Sequence, residues 1–273
     1  MRIGFKLHEV NGLTYLTIPS FDETGLVTHC FTTRQGGVSE GECGTFNLGF
    51  NRNDKRKNVL SNFRALGQQL NIEYTDFVFS NQVHRDHIAV ISKHDKGKGI
   101  IRDSDILEVD GLMTNEKNVP LVTFYADCVP LFFLDPVKKV IALSHSGWKG
   151  TVKKIGYKTI SKMIKDYGCD VKDILTAIGP SIGKCHFEVD QPVVEEFYTS
   201  YDKDAGMLIN EKGSGKYHID LWQANILQFN QAGIKDEHIT LAQQCTFCNE
   251  SLYFSHRRDR GKTGSLAGIM QLI

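Results

Sequence analysis

Apolar residues in this chain fall into short runs of four to eight positions, bounded by polar and glycine-bearing stretches, which is the pattern of strands in a packed sheet. Such runs occur at LTYLTIPS (13–20), LVTHCFTTRQGG (26–37), the glycine-containing SEGECGTFNLGF (39–50), and from FVFSNQVH (77–84) to DGLMT (110–114). They continue at VTFY (122–125), VPLFFLD (129–135), VKKVIALSHSGWKG (137–150), DILTAIGP (173–180), KYHIDL (216–221), ITLAQQC (239–245), LYFS (252–255) and LAGIMQLI (266–273). A helical period is expected instead over RKNVLSNFRALGQQL (56–70), TVKKIGYKTISKMIKDYG (151–168), PVVEEFYTSY (192–201) and WQANILQFNQAG (222–233). In the second of these Val152, Ile155, Ile160, Met163 and Ile164 share a face, and Gly168 stands where a C-cap is needed. NRNDKRKN (51–58) and SKHDKGKG (92–99) read as loops, and no repeat or Pro/Ser-rich linker divides the chain. The expectation is one mixed α+β domain, 1–273, with more than one sheet.

Composition narrows the function classes. With 32 basic and 32 acidic residues the formal net charge is zero, so no field is available to hold a polyanion, and nucleic acid is not expected as a partner. No run approaches the 18 or so apolar residues of a membrane span, and MRIGFKLHEVNGL lacks the apolar core of a signal peptide. The seven cysteines are odd in number and scattered, which points to reduced thiols and a cytoplasmic setting.

Asp127 and Cys128 interrupt the apolar stretch VTFYADCVPLFFLD (122–135). A carboxylate there is costly unless it is paired or used, so the pair marks a polar site rather than a buried small thiol. His145 in ALSHSGWKG lies where an apolar strand meets a turn and a helix start, and His84 in FSNQVHRDH sits at the polar end of another strand. A thiol with a histidine base is one reading. His84, Cys128 and His145 as three metal ligands, leaving one tetrahedral position open, is the other.

Further strings remain ambiguous. CHFE (His186, Glu188) with QCTFC (Cys245, Cys248) approaches the H-x-E and P-C-x-x-C pattern of zinc nucleobase deaminases, but Gln244 replaces the proline and the interval is long. Arg34 beside Gly36 and Gly37 offers donors for an anion or forms a plain turn, and IGPSIGKC (178–185) is equally double. SHRRDRGK (255–262) is a solvated loop or holds one anionic group.

Taken together, QVH (82–84), ADCVP (126–130), HSGWKG (145–150), GPSIGKCHFEV (179–189), CT (245–246), FSHRRD (254–259) and TG (263–264), with FTTRQGGVS and FNLG upstream, resemble the laccase-domain family in order and context. That family was first described as multicopper polyphenol oxidases and is now regarded as purine nucleoside phosphorylases. The resemblance implies an α/β/β/α sandwich of mixed sheets similar to the catalytic domain of the cytotoxic necrotizing factors. It implies zinc on His84, Cys128 and His145, copper being the older alternative. It also implies phosphorolysis of adenosine, inosine, guanosine and methylthioadenosine by inorganic phosphate, with adenosine deamination. Cys128, His145 and Asp127 are then the catalytic candidates, and Arg34, Gly36, Gly37, Asn47, Lys149 and Arg257 the substrate-binding ones. Lys149, His256 and Ser265 depart from the family's usual arginine, tyrosine and arginine. A copper phenol oxidase and a metal-free Cys/His hydrolase or amidase acting on peptidoglycan precursors are the competing readings.

Overall fold

The computed structural model describes residues 1–273, and its backbone organises into four layers. A seven-stranded mixed sheet runs in the order Arg2–Ile3, Ile239–Leu241, Leu175–Ile178, Val129–Asp135, Val140–Ser146, Gly111–Thr114, Ile88–Val90. A six-stranded mixed sheet runs Lys6–Val10, Leu13–Thr17, Val27–Thr32, Leu266–Leu272, Leu121–Tyr125, Val78–Phe79. Glu188–Asp190, Lys216–Ile219 and Ile209–Gly213 form a small antiparallel third sheet. No helix is long and apolar enough to cross a membrane.

Strand alternation assigns the layers. Phe132, Leu134, Ile141 and Leu143 pack with Phe31, Tyr125, Leu266 and Met270 between the two large sheets. Their neighbours Leu131, Phe133, Val140 and Ala142 point the other way, onto Ile155, Ile160, Met163 and Phe229 of helices Ile155–Tyr167 and Leu221–Gln231. On the far side, Cys30, Val122, Ala267 and Ile269 meet Val59, Phe63 and Leu66 of helix Arg56–Leu70. The stretches Val129–Leu134 and Val140–Leu143 of the two central strands are therefore apolar at every position because each is covered twice, at roughly 1.5–3 kcal/mol for each large side chain buried. Gly268 faces the inner layer, where an added Cβ would lie 3.1 Å from the Phe132 ring, so only glycine admits that ring unhindered.

Three sequence expectations change. The segment 151–168 is two helices, Trp148–Val152 and Ile155–Tyr167, because Lys154 takes a left-handed φ of 58°. Gln228 Oε1 accepts from Gly156 N at 3.0 Å and so caps the second helix's start. Ile164 lies outside its buried face, at 39% exposure. LYFS is not a strand: Tyr253 and Phe254 are fully buried, but Leu252 N and Tyr253 N both turn back to Asn249 O, at 3.1 and 2.9 Å, and Arg258 Nη2 donates to Tyr253 O at 2.9 Å. SEGECGTFNLGF is a loop with one 3-10 turn at Gly41–Cys43, pinned by Asn62 Nδ2 donating to Asn47 O at 2.8 Å.

The inner layer also holds a titrating group. His29 is buried, and its Nε2 accepts from Ile18 N at 2.8 Å. Burial pushes its pKa down to about 4, against the attraction of Asp22. The unfolded chain therefore binds a proton first, and stability present above pH 6.5 is lost as pH falls towards 4, by on the order of 3 kcal/mol. In urea titrations across that window, His29→Gln should show a correspondingly flatter pH dependence than the wild type. Parallel curves would remove His29 as the cause.

Candidate metal centre and cavity

VTFYADCVPLFFLD is not one interrupted strand but a crossing between layers. Leu121–Tyr125 belongs to the six-stranded sheet and Val129–Asp135 to the seven-stranded one. Ala126, Asp127 and Cys128 make the passage, with Asp127 at a φ of 87°. Its carboxylate accepts from Thr246 Oγ1 at 2.6 Å and from Arg257 N at 2.7 Å, which offsets the backbone strain and fixes the turn. Cys128 is thereby presented at the end of a central strand. Antiparallel pairing of His145 with Pro130 and of Ser146 with Val129 brings His145 to the same end of the sheet.

His84 arrives from a loop. Gln82 copies a strand edge, its Nε2 donating to Phe124 O at 2.9 Å and its Oε1 accepting from Phe124 N at 2.6 Å. The next three backbone N–H groups converge on the buried Asp110: Val83 N at 3.2 Å, His84 N at 3.0 Å and Arg85 N at 2.7 Å. Asp110 Oδ1 also meets His145 Nδ1 at 2.8 Å. A carboxylate held below its usual pKa range by these contacts, despite burial, can only accept. His145 Nδ1 therefore carries a proton, and Nε2 faces Cys128 and His84, where an ion would displace its proton. The sequence reading missed Asp110; its available signal was an acidic residue at the mouth of the apolar strand, in EVDGLMT (108–114).

The ligand atoms of His84, Cys128 and His145 lie within 4.8 Å of one another, and the two rings meet edge to face at 4.8 Å between centroids. Burial alone would raise the Cys128 thiol, but the two imidazoles outweigh it and bring the pKa down to about 6. Burial likewise opposes charge on His145, yet Cys128 and Asp110 lift it to about 9. A thiolate is thus present at neutral pH. One thiolate and two imidazoles suit a borderline-soft divalent ion, and the backing is cut to fit: a Cβ on Gly147 would lie 2.9 Å from His84 Cδ2 and 3.1 Å from Cys128 Sγ. The residues present fit zinc or copper.

These three side chains stand at the foot of a cavity of about 730 Å³, in the size range of small-molecule sites. Phe124, Trp148, Ile182, Phe187 and Leu221 give it apolar walls, while Arg52, Asn81, Gln82, His256, Arg257 and Ser265 supply polar ones.

Among the substrate-binding candidates, only Arg257 reaches this wall. Arg34 is turned inward, with Nε and Nη2 donating to Gly44 O at 3.1 and 3.0 Å and the guanidinium over the Phe254 ring. Gly36 and Gly37 donate to Thr45 Oγ1 and serve a turn: a Cβ on Gly36 would sit 2.2 Å from Gly12 O, and one on Gly37 2.3 Å from Thr45 O. Asn47 is wholly buried, bonded to Gly49, Asp54 and Ser265 N. Lys149 is exposed, its Nζ 5.6 Å from the Trp148 ring centroid. Arg34, Gly36, Gly37 and Asn47 instead hold local structure, with Asn47 bracing Gly49 and Ser265 of the cavity lining. Arg52, unmarked in the sequence reading, does line it, and its Nε donates to Ser265 Oγ at 2.8 Å.

Residues 28–273 match the family model described as multi-copper polyphenol oxidoreductase laccase. The chain belongs to this family. Among laccase-domain proteins it is 37% identical over 241 residues to the purine nucleoside phosphorylase YlmD of Bacillus subtilis, covering 88% of this chain and 86% of that one. It is 34% identical to a Bacteroides thetaiotaomicron protein also called purine nucleoside phosphorylase, over 94% and 95% of the two chains. The crystal structure of Bacillus licheniformis YfiH superposes with a TM-score of 0.93 at 33% identity, over 98% of this chain and 99% of the other. YlmD of Geobacillus stearothermophilus gives 0.91 at 34% identity, over 98% of each. Within a laccase-domain chain, the uncommon strings now have physical roles: Gln82 of QVH docks the loop, Asp127 of ADC forms the turn, and Gly147 of HSGWKG makes room behind the ligands.

Proposed function

We infer that the protein is a metal-dependent purine nucleoside phosphorylase, with zinc as the resident ion. The carrying observation is a thiolate and two imidazoles at the foot of a cavity that also presents an arginine. The names of its relatives support the same reading. Zinc at this centre would supply a Lewis acid with one position free for an oxygen of substrate or water.

The reaction joins a phosphate oxygen to C1' of the ribose while the bond from C1' to the base nitrogen breaks and its electron pair leaves with the base. Charge and position are what the chain must provide. Arg52 is the anion-binding group in this reading, and Ser265 Oγ orients it. A guanidinium therefore stands beside Ser265, the place where the family commonly has arginine. Trp148 and Phe187 offer apolar faces to a purine, and Asn81, Gln82 and His256 offer polar groups to its edges and the sugar. Adenosine, inosine, guanosine and methylthioadenosine are the substrates of this reading. Deamination of adenosine at the same centre belongs to it too.

The copper oxidase reading has less support. Only two groups of His, Cys, Asp or Glu gather closely enough to hold an ion, and neither supplies the additional histidine clusters of a multicopper relay. The metal-free hydrolase reading draws on the Cys128 thiolate and His145, and differs in being indifferent to chelators.

Hypoxanthine release from inosine by zinc-loaded protein, followed by chromatography with and without inorganic phosphate, tests the proposal. Release that requires phosphate is expected; none under either condition overturns it. Arg52→Ala should raise the apparent KM for phosphate by roughly 10- to 100-fold, the loss of one charge-assisted contact. Arg34→Ala should leave that KM unchanged while lowering stability, and the reverse pattern would return the anion role to Arg34.

A further inference from the structure

A second set of soft ligands lies outside the centre just described. Cys185 and His186 come from the turn after Ser181, and Cys245 and Cys248 from the C-x-x-C of QCTFC. All four ligand atoms lie within 4.8 Å of one another. His186 Nδ1 is 3.2 Å from Cys185 Sγ, 3.3 Å from Cys248 Sγ and 4.0 Å from Cys245 Sγ, and the Cys185 and Cys248 sulfurs are 3.7 Å apart. Zinc bonds of about 2.3 Å to sulfur and about 2.0 Å to nitrogen, at tetrahedral angles, separate ligand atoms by about 3.6–3.8 Å. The four atoms straddle that spacing.

The surroundings are built to hold them. Gly183 N donates to Cys245 Sγ at 3.3 Å, a backbone contact that orients the sulfur, and a Cβ at Gly183 would press on Cys185 Sγ and Cys245 Cβ at 3.3 Å each. The His186 ring stacks on Phe247, from within the C-x-x-C, at 3.9 Å between centroids and 13° between planes. Thr246 N donates to Ser181 O at 3.0 Å, and Asn249 Nδ2 to Cys245 O at 2.8 Å. Four cysteine and histidine donors on two crossing loops leave no coordination position open. The deaminase pattern glimpsed in CHFE and QCTFC therefore does not hold as such. Cys185 fills the place a catalytic water needs, and the carboxylate of Glu188 pairs at 3.7 Å with His218 in the small sheet.

We propose that Cys185, His186, Cys245 and Cys248 form a closed structural site for a divalent ion of the zinc class. Its consequence is local. Loop 181–187 donates Ile182 N to Asp127 O at 2.8 Å, and loop 245–257 supplies the Thr246 and Arg257 contacts to the Asp127 carboxylate. An ion joining the two loops thus clamps the turn that presents Cys128 and fixes the wall containing Ile182, Phe187 and Arg257.

Cobalt(II) titration of the full-length protein, reduced and stripped of metal, tests this. Wild type should take up two ions per chain. Cys128→Ala should retain one, with tetrahedral visible bands and the near-ultraviolet charge-transfer intensity of three thiolates rather than one. Cys185→Ser/Cys248→Ser, at two exposed positions, should also retain one, with the single-thiolate spectrum. Native mass spectrometry of zinc-loaded wild type gives an independent count. A Cys128→Ala protein that binds no tetrahedral cobalt, a single wild-type zinc that Cys128→Ala abolishes, or an unchanged count and spectrum in the double serine variant would each overturn the proposal.

Discussion

Cys128→Ala should lose at least about 100-fold of phosphorolytic turnover and one bound metal ion per chain, with little change in the unfolding free energy of the metal-free protein. The side chain is small, only partly buried and a donor to no essential backbone group, so its removal leaves the turn to Asp127 and the layers intact. The activity loss alone does not separate a metal ligand from a nucleophile, since both readings require the thiolate. His84 separates them. As a ligand, His84→Ala should cost nearly as much as Cys128→Ala and also release the ion. As a mere neighbour of a nucleophile it contributes through the pKa of Cys128, and its loss would raise that pKa while sparing most turnover at alkaline pH. Chelation of the wild type followed by zinc addition completes the test. Turnover that survives chelation and falls only with Cys128 and His145 would replace the metal enzyme with a Cys/His hydrolase.

Two of the ligands were legible in the chain because they sit at the ends of apolar strands, Cys128 just before Val129–Asp135 and His145 near the end of Val140–Ser146. His84 does not: FVFSNQVH reads as a strand running to it, but the strand stops at Phe79 and the histidine lies in the loop beyond. The layers were legible for the same reason, since doubly covered strands such as VPLFFLD contain no polar interval before Asp135. What the pattern could not convey was contact between distant segments. Arg34 with two glycines reads as an anion site, and only the fold shows Gly44 O and Phe254 meeting its guanidinium. Arg52, within a polar stretch that reads as solvated loop, gains its place from Ser265, more than two hundred residues away. Tyr253 and Phe254 are apolar enough for a strand, yet a turn onto Asn249 O and the Arg258 guanidinium on Tyr253 O take the place of a ladder there. CHFE and QCTFC looked too far apart for one site because sequence distance says nothing of loops that cross.

Asp110 carries the largest expected effect on stability. Its carboxylate is wholly buried and serves four donors at once: the N–H groups of Val83, His84 and Arg85, and His145 Nδ1. Asp110→Asn keeps the volume but substitutes an amide N–H for one acceptor oxygen. At least one of these donors then faces another donor in a site closed to water. Removing one partner of a buried, hydrogen-bonded charge costs about 3–5 kcal/mol, more than burial of any single side chain in the core supplies. Metal affinity should fall with it, by roughly 10- to 100-fold, because the carboxylate sets both the tautomer of His145 and the turn that presents His84. The two effects are separable. Excess zinc should restore turnover if Asp110 acts only by positioning ligands, since occupancy is then the sole deficit, while the unfolding midpoint in urea should stay below that of the zinc-loaded wild type. A variant of near wild-type stability and cobalt affinity would show that the loop carrying His84 is held by Gln82 alone. Asp110 would then be no more than a buried ion-pair partner of His145.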